Sequence, residues 1–176
     1  MDKLKLVIPT AEYKKSFIEA IQEFQLEGRN LEINILDLGN NFEKYLTKLA
    51  DEEKGIGMKE GYVPATTLWL VEGGEFIGHV SIRHCLTENL QKVGGHIGYS
   101  IRPTKRRMGY GTKTLEFALL EAKKFGIHNV LITCDDDNVG SAKIIEKNGG
   151  VLENKVEGEY ESEAKKLKRR YWIVNK

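Results

Sequence analysis

The middle of the chain gathers residue types that bind anions. Lys105, Arg106 and Arg107 form a basic turn, and Gly109 and Gly111 follow it on either side of Tyr110. An extended run carrying Ile97, Tyr99 and Ile101 precedes the turn and stops at Pro103, which has no N–H to offer a ladder. An amphipathic helix pattern follows. The first N–H groups of a helix lack intrahelical partners and lie at the positive end of its dipole. Glycines there let a phosphate approach the backbone, and adjacent arginines add charge-assisted donors. Strand, cationic turn and glycine-rich helix start together describe a site for a phosphorylated ligand.

Spacing discriminates between three templates for such a site. A P-loop needs four residues between its glycines and then Gly-Lys-Ser/Thr, which Gly109 to Thr114 does not supply. A dinucleotide fingerprint needs a third glycine three residues after the second, and Thr114 stands there. The pattern Arg/Gln-x-x-Gly-x-Gly/Ala is met at every specified position by Arg106-Arg107-Met108-Gly109-Tyr110-Gly111. This segment resembles the acetyl-CoA-binding motif of the GCN5-related N-acetyltransferase (GNAT) superfamily. A second segment agrees with it. Asn138, Ser141, the Glu146-Lys147 pair and Gly149 fall in register with the family's Asn-x-x-Ser/Ala-x-x-Leu-Tyr-Glu-Lys-x-Gly-Phe. The resemblance covers residues 66–155, and the first 65 match in element type only.

The resemblance implies an α/β fold: one domain over residues 1–176, with a GNAT-like mixed sheet flanked by helices. Residues 1–65 would form the variable acceptor side, 66–155 the CoA-binding core and 156–176 a C-terminal strand. It implies acetyl-CoA as cosubstrate, with the pyrophosphate on the backbone of Arg107, Met108, Gly109, Tyr110, Gly111 and Thr112. Arg106 and Arg107 are the side-chain contributors. Pantetheine would pair with the strand at Tyr99 and Ile101, and Asn138 and Ser141 would contact the same ligand. The reaction implied is transfer of an acetyl group to an amine of a small-molecule or peptide acceptor. Proximity and an oxyanion-binding amide would supply much of the acceleration.

An amine must also lose a proton. His96, near the start of the central strand, is the candidate base, since imidazole titrates in the useful range. His79 and His84 lie on the neighbouring strand, five residues apart and so on opposite faces. The departure from the family is Ile145, where relatives carry a tyrosine that protonates the leaving thiolate; Tyr99 and Ser141 are the substitutes on offer. Gly150 stands where phenylalanine is common. These departures leave a non-catalytic acyl-CoA-binding or sensing domain as the alternative function. A nucleic-acid-binding module built on Arg102–Lys113 is a further one. Histidine spacing indicates no metal site. Asp135, Asp136 and Asp137 precede a helix, where carboxylates are stabilising without a cation.

The elements that must position these residues follow from periodicity. A short strand carries Leu4, Leu6 and Ile8. Thr10 stands as the cap of a helix with Tyr13, Phe17, Ile21 and Phe24 at helical spacing, closed by Gly28 and Asn30. A second helix runs from Phe42 to about Glu53. From Thr66 the period becomes two, with Thr67–Glu72 as a strand, Gly73-Gly74 as a two-residue hairpin turn and Glu75 to His84 as the partner strand. Leu86 to Lys92 reads as a polar connection. The motif helix then joins a central parallel pair, Gly95–Arg102 and Asn129–Cys134. A helix with Ala142, Ile144 and Ile145 follows, then a strand near Val151–Val156 and a last one around Arg170–Val174. Between these two strands the acids Glu157, Glu159, Glu161 and Glu163 face the basic run Lys165 to Arg170, which suggests cross-strand charge pairing.

Composition narrows the class. At 176 residues, 40% hydrophobic and 30% charged, the chain is long enough for a substantial core. A net charge of +1 gives no general attraction to nucleic acid or to a membrane surface. Two cysteines, Cys85 and Cys134, make no disulfide framework. There is neither a signal-peptide pattern nor an apolar run long enough to span a bilayer, so the expected location is cytoplasmic. A homodimer is the expectation by family analogy alone.

Overall fold

The computed structural model describes residues 3–158 and 165–175. Glu159, Glu161 and Glu163 of the expected charged hairpin lie outside the described residues. Four strands form the first sheet in the order β1 (Lys5–Val7), β2 (Ala65–Glu72), β3 (Glu75–Arg83), β4 (Ile97–Ile101), all neighbours antiparallel. Gly73 and Gly74 have φ of 57° and 77°, the two positive values that a tight hairpin between β2 and β3 demands. The second sheet has the order β5 (Asn129–Asp135), β7 (Lys166–Val174), β6 (Val151–Gly158), again antiparallel.

Helices cover both faces of the first sheet. α1 (Lys14–Leu26) buries Phe17, Ala20, Ile21 and Phe24, one stripe at i, i+3, i+4, i+7. Together with α2 (Ile35–Asn40) and α3 (Phe42–Lys54) it packs an aromatic core around Trp69, where Phe17 stacks on the indole at 4.5 Å. On the opposite face α4 (Tyr110–Lys124) buries Leu115, Ala118, Leu119 and Ala122. They meet Val80, Ile82 and Ile97 of the first sheet, and Ala142 and Ile145 of α5 (Val139–Lys147). Each fully buried large aliphatic or aromatic side chain contributes about 1.5–3 kcal/mol.

The fold class is the expected α/β one, with three local corrections. Thr10 makes no side-chain cap; its carbonyl accepts from Tyr13 N–H in a 3₁₀ turn that leads into α1. The polar connection contains a turn of π-helix, Leu90–Gly94, with Leu90 and Val93 buried. The third correction concerns the central pair. β4 and β5 belong to different sheets, and among the described residues the one ladder bridge between their two stretches of chain is the isolated pair Gly95–Ile132, just before β4. The expected continuous pairing of Gly95–Arg102 with Asn129–Cys134 within one mixed sheet is therefore not made. β5 spends its ladder on β7 instead, and the two central strands are joined at one end and open at the other.

Candidate active site

The closed end of this split is saturated with hydrogen bonds. His96 N–H donates to Leu131 O at 2.7 Å, and Leu131 N–H donates to His96 Nδ1 at 3.0 Å. Arg83 Nη1 donates to Gly95 O at 2.9 Å, and Thr133 Oγ1 to Val93 O at 2.7 Å. Gly95 has φ of +68°, and a Cβ there would lie 2.6 Å from Leu131 O, so only glycine allows the strands this close. His96, the expected base, thus has its acceptor nitrogen committed to an amide. Burial, with the Arg83 charge in support, holds its pKa below the ordinary histidine value. In this geometry the ring clasps the joint.

The open end is the reverse. Arg83 N–H donates to His96 O at 2.8 Å and Arg102 N–H to Ile77 O at 2.9 Å. Bonded pairs in an antiparallel ladder recur at every second residue, so positions 96, 98, 100 and 102 face β3. The backbone groups of Tyr99 and Ile101 therefore point to the outer edge of β4. There the Ile101 carbonyl accepts from Arg106 Nε at 3.2 Å. Past β4, the chain reaches α4 through Arg107 and Gly109, with φ of +61° and +86°. This left-handed path turns successive amides outward. No group among the described residues accepts from the backbone N–H of residues 107–112, and the first bond of α4 is Lys113 N–H to Gly109 O at 3.2 Å. Six consecutive unpaired amides at a helix N-terminus make an anion cradle. Gly111 packs tightly here: a Cβ would fall 2.6 Å from Ile144 Cδ1 of α5.

The basic side chains of the turn are largely tied off. Arg102 is buried and bonds Glu23 at 2.7 Å and Ser16 Oγ at 3.0 Å. Lys105 pairs with Glu75 at 2.6 Å, and Arg106 forms a two-pronged pair with Glu27, both contacts 2.8 Å. Arg106 is therefore committed to the C-cap of α1, and Arg107, also exposed, is the arginine next to the cradle with no acidic partner among the described residues. The same pairing reduces the free cationic surface on which the nucleic-acid alternative would draw. Glu19, Glu23 and the C-cap Glu27 lie at i, i+4, i+8 along α1. That acidic stripe is visible in the sequence, but its basic partner eighty residues away is not.

The remaining residues fall on either side of β4. Tyr110 turns back and donates to Glu72 at 2.6 Å, while Met108 stands exposed at the mouth of the cradle. Asn138 caps α5, its Oδ1 accepting from Ser141 N–H at 3.0 Å. Tyr99 packs on the α4–α5 face, its hydroxyl buried without a hydrogen-bond partner. Burial pushes its pKa up to about 12 and the neighbouring Ser141 hydroxyl offsets part of that, yet no hydrogen bond to the phenol is made among the described residues. On the opposite face His79 pairs across the strands with Trp69 and Ser100, and Ser100 Oγ accepts from Arg29 at 3.0 Å. His79 keeps some surface of its own, yet protein encloses it. That desolvation, with the Arg29 charge, pushes its pKa down to about 4. Further along this face lies a cleft of ≈ 880 Å³ lined by α3, the loop 56–63, Ser81 and Arg83. Gly98, opposite Ser81, puts no side chain between this face and β4, for the nearest atom to a Cβ there would be Arg83 Nη1 at 4.0 Å.

The other charged clusters are structural. Asp135 and Asp136 accept from Lys166 at 2.9 Å and Arg169 at 2.7 Å, and Arg170 pairs with Glu153 at 2.6 Å. No group of three or more His, Cys, Asp or Glu side chains that could hold a metal ion occurs among the described residues. Among them, too, no helix is long and apolar enough to cross a membrane.

Comparison with known proteins adds three findings. The family model described as an acetyltransferase (GNAT) domain matches residues 40–151, more than half of the chain. No protein in the curated set matches significantly. Among solved structures, the microcin C7 self-immunity acetyltransferase MccE, in complex with acetyl-CoA and AMP, superposes with a TM-score of 0.71 at 18% identity, covering 99% of this chain and 93% of that one. The ribosomal-protein-S5-alanine acetyltransferase from Vibrio fischeri gives 0.72 at 15% identity, covering 99% and 94%. The acetyltransferase yncA from Salmonella typhimurium, with its cofactor acetyl-CoA, gives 0.64 at 13%, covering 98% and 94%. At these identities the likeness establishes the fold.

Proposed function

The chain belongs to the GNAT acetyltransferase family, and on that premise we propose that it transfers the acetyl group of acetyl-CoA to an amine of a small molecule or peptide. The observation that carries this is the run of unpaired amides at 107–112, continuous with the open edge of β4. The cradle takes the pyrophosphate, aided by Arg107, and each charge-assisted bond contributes on the order of 1.5–3 kcal/mol. The outward groups of Tyr99 and Ile101 N–H pair with pantetheine as a further strand would. Gly111, Asn138 and Ser141 line the far wall from α4 and α5. Acetyl-CoA supplies an activated thioester; these residues align it and keep it extended along the strand.

The acceptor approaches from the other face of β4, through the cleft beside Ser81 and the bare Gly98. A base on that face must be unprotonated at neutral pH. His79 is the imidazole on that face, set back from the cleft lining: burial and the Arg29 charge keep it neutral at pH 7, so it can accept a proton, but at a pKa of about 4 it is a weak base. His96 holds the closed end in register, which fixes where the open edge begins.

A thermal-shift titration with acetyl-CoA tests the proposal. At a hundred times its dissociation constant the ligand adds about 2.7 kcal/mol, or roughly 5–11 °C for a domain of this size. Gly109→Glu, which fills the cradle with a carboxylate, is expected to abolish that shift. No shift in the wild-type protein at millimolar acetyl-CoA overturns the proposal.

A further inference from the structure

The motif that this segment resembles has a tyrosine where this chain has Ile145, and that side chain is 0% exposed within the α4–α5 core. No polar group reaches the split from position 145. Tyr99 brings a hydroxyl to the same α4–α5 cluster. The Tyr99 ring extends from β4 toward the end of β5 and the first turn of α5, where Cys134 and Ser141 are the titratable and hydroxylic groups that bear on it. Its hydroxyl is buried and unpartnered. Among the described residues one other buried side-chain polar atom is in that state, Trp69 Nε1, and it lies inside the aromatic core on the opposite face. An unpaired buried hydroxyl is a cost to the folded protein, so a ligand atom is its natural partner.

We infer that the Tyr99 hydroxyl donates a hydrogen bond to the sulfur of CoA, doing the work of the tyrosine missing at Ile145; this rests on the acetyl-transfer reading above. When the carbon–sulfur bond breaks, the electron pair stays on sulfur and the Tyr99 O–H holds the developing charge. The amine proton leaves on the other face of β4, to the base there. Tyr99 keeps its own proton, since a phenol held near 12 does not surrender it to a thiolate whose ordinary pKa resembles that of cysteine. Cys134, itself pushed up to about 11 by burial, stays a neutral thiol beside it. Ser141 is the weaker donor candidate, being only half-buried.

The test uses CoA alone, so no acceptor is needed. The thiol of bound CoA is titrated by its ultraviolet thiolate absorbance, as the difference between protein with and without CoA. Wild type, Tyr99→Phe and Ser141→Ala are compared. A hydrogen bond to a charged group of ordinary strength places the bound thiol's pKa about 1–2 lower in wild type than in Tyr99→Phe. Ser141→Ala should leave the bound thiol's pKa at the wild-type value, whatever it does to CoA affinity. The melting temperature of ligand-free Tyr99→Phe should be unchanged or higher, because an unpaired hydroxyl has been removed. Equal thiol pKa values in wild type and Tyr99→Phe overturn the inference. So does a shift that follows Ser141→Ala, or a ligand-free melting temperature that falls in Tyr99→Phe. Failure of the wild-type protein to bind CoA at all overturns the acetyl-transfer reading first and this inference with it.

Discussion

The two ends of the β4–β5 split use the same chemical groups in opposite ways. At the closed end, Gly95, His96 and Val93 meet Leu131 and Thr133, and backbone and side-chain groups are exchanged in pairs. At the open end, six amides and a phenol have no hydrogen-bond partner among the described residues. The contrast shows how a small domain tolerates unsatisfied groups: stability is concentrated at one end of a strand pair so that the other end can hold donors ready. Buried or oriented donors without partners are costly, and they persist where surrounding structure over-determines them.

The largest effect should come from breaking the closed end. Gly95→Ala puts a Cβ against Leu131 O at a positive φ, so backbone strain and overpacking combine. The expected loss is about 4 kcal/mol, seen in chemical denaturation as a lower midpoint at constant slope. If Gly95→Ala is instead neutral, the joint is not where the stability lies. Gly109→Glu is the counterpart at the open end. Nothing lies within 4 Å of a Cβ there, so the ligand-free protein should lose only the cost of a non-glycine residue at positive φ. It should also lose the whole ligand-induced gain of about 2.7 kcal/mol. A variant that melts early yet still responds to acetyl-CoA would contradict the division of labour.

Acid should act on both histidines. Their folded pKa values lie below the unfolded value, so the unfolded chain takes up protons that the folded one refuses. Stability is therefore at its full level above pH 6.5 and falls as the pH drops toward 4.5. His79 accounts for on the order of 2 kcal/mol of that fall. Urea melts at pH 7, 5.5 and 4.5 should show it, with a flatter profile in His79→Gln. An unchanged profile in that variant would mean the imidazole is better solvated than its surroundings indicate. The smallest effect separates the two arginines. Arg107→Ala should weaken CoA binding roughly tenfold, with little change in melting. Arg106→Ala breaks a half-exposed pair with Glu27, costs at most about 1 kcal/mol of stability and leaves CoA affinity near wild type. The reverse ranking would place the phosphate-binding charge on Arg106.

Much of this molecule is legible in its amino-acid order. The helices α1, α3, α4 and α5 follow from apolar spacing, the β2–β3 hairpin from Gly73-Gly74, and the cradle from Gly109 and Gly111 after a basic turn. All of these are local patterns, written within a dozen residues. The family resemblance also rests on two such segments. α2 escapes a periodicity reading, because Ile35–Asn40 is too short to show a period.

What the chain order alone determined is therefore the set of elements and the cradle's backbone. Tertiary structure decided which of the named side chains are free. Arg106 and Arg102 were bound by an acidic stripe about eighty residues earlier, His96 gave its lone pair to Leu131, and β5 paired with β7 rather than β4. It also left Tyr99 without a partner beside Ser141. The physical reason is that a periodic pattern reports which face a residue occupies. Whether its polar atom is satisfied depends on groups brought near by chain folding, and that information is not local in the sequence.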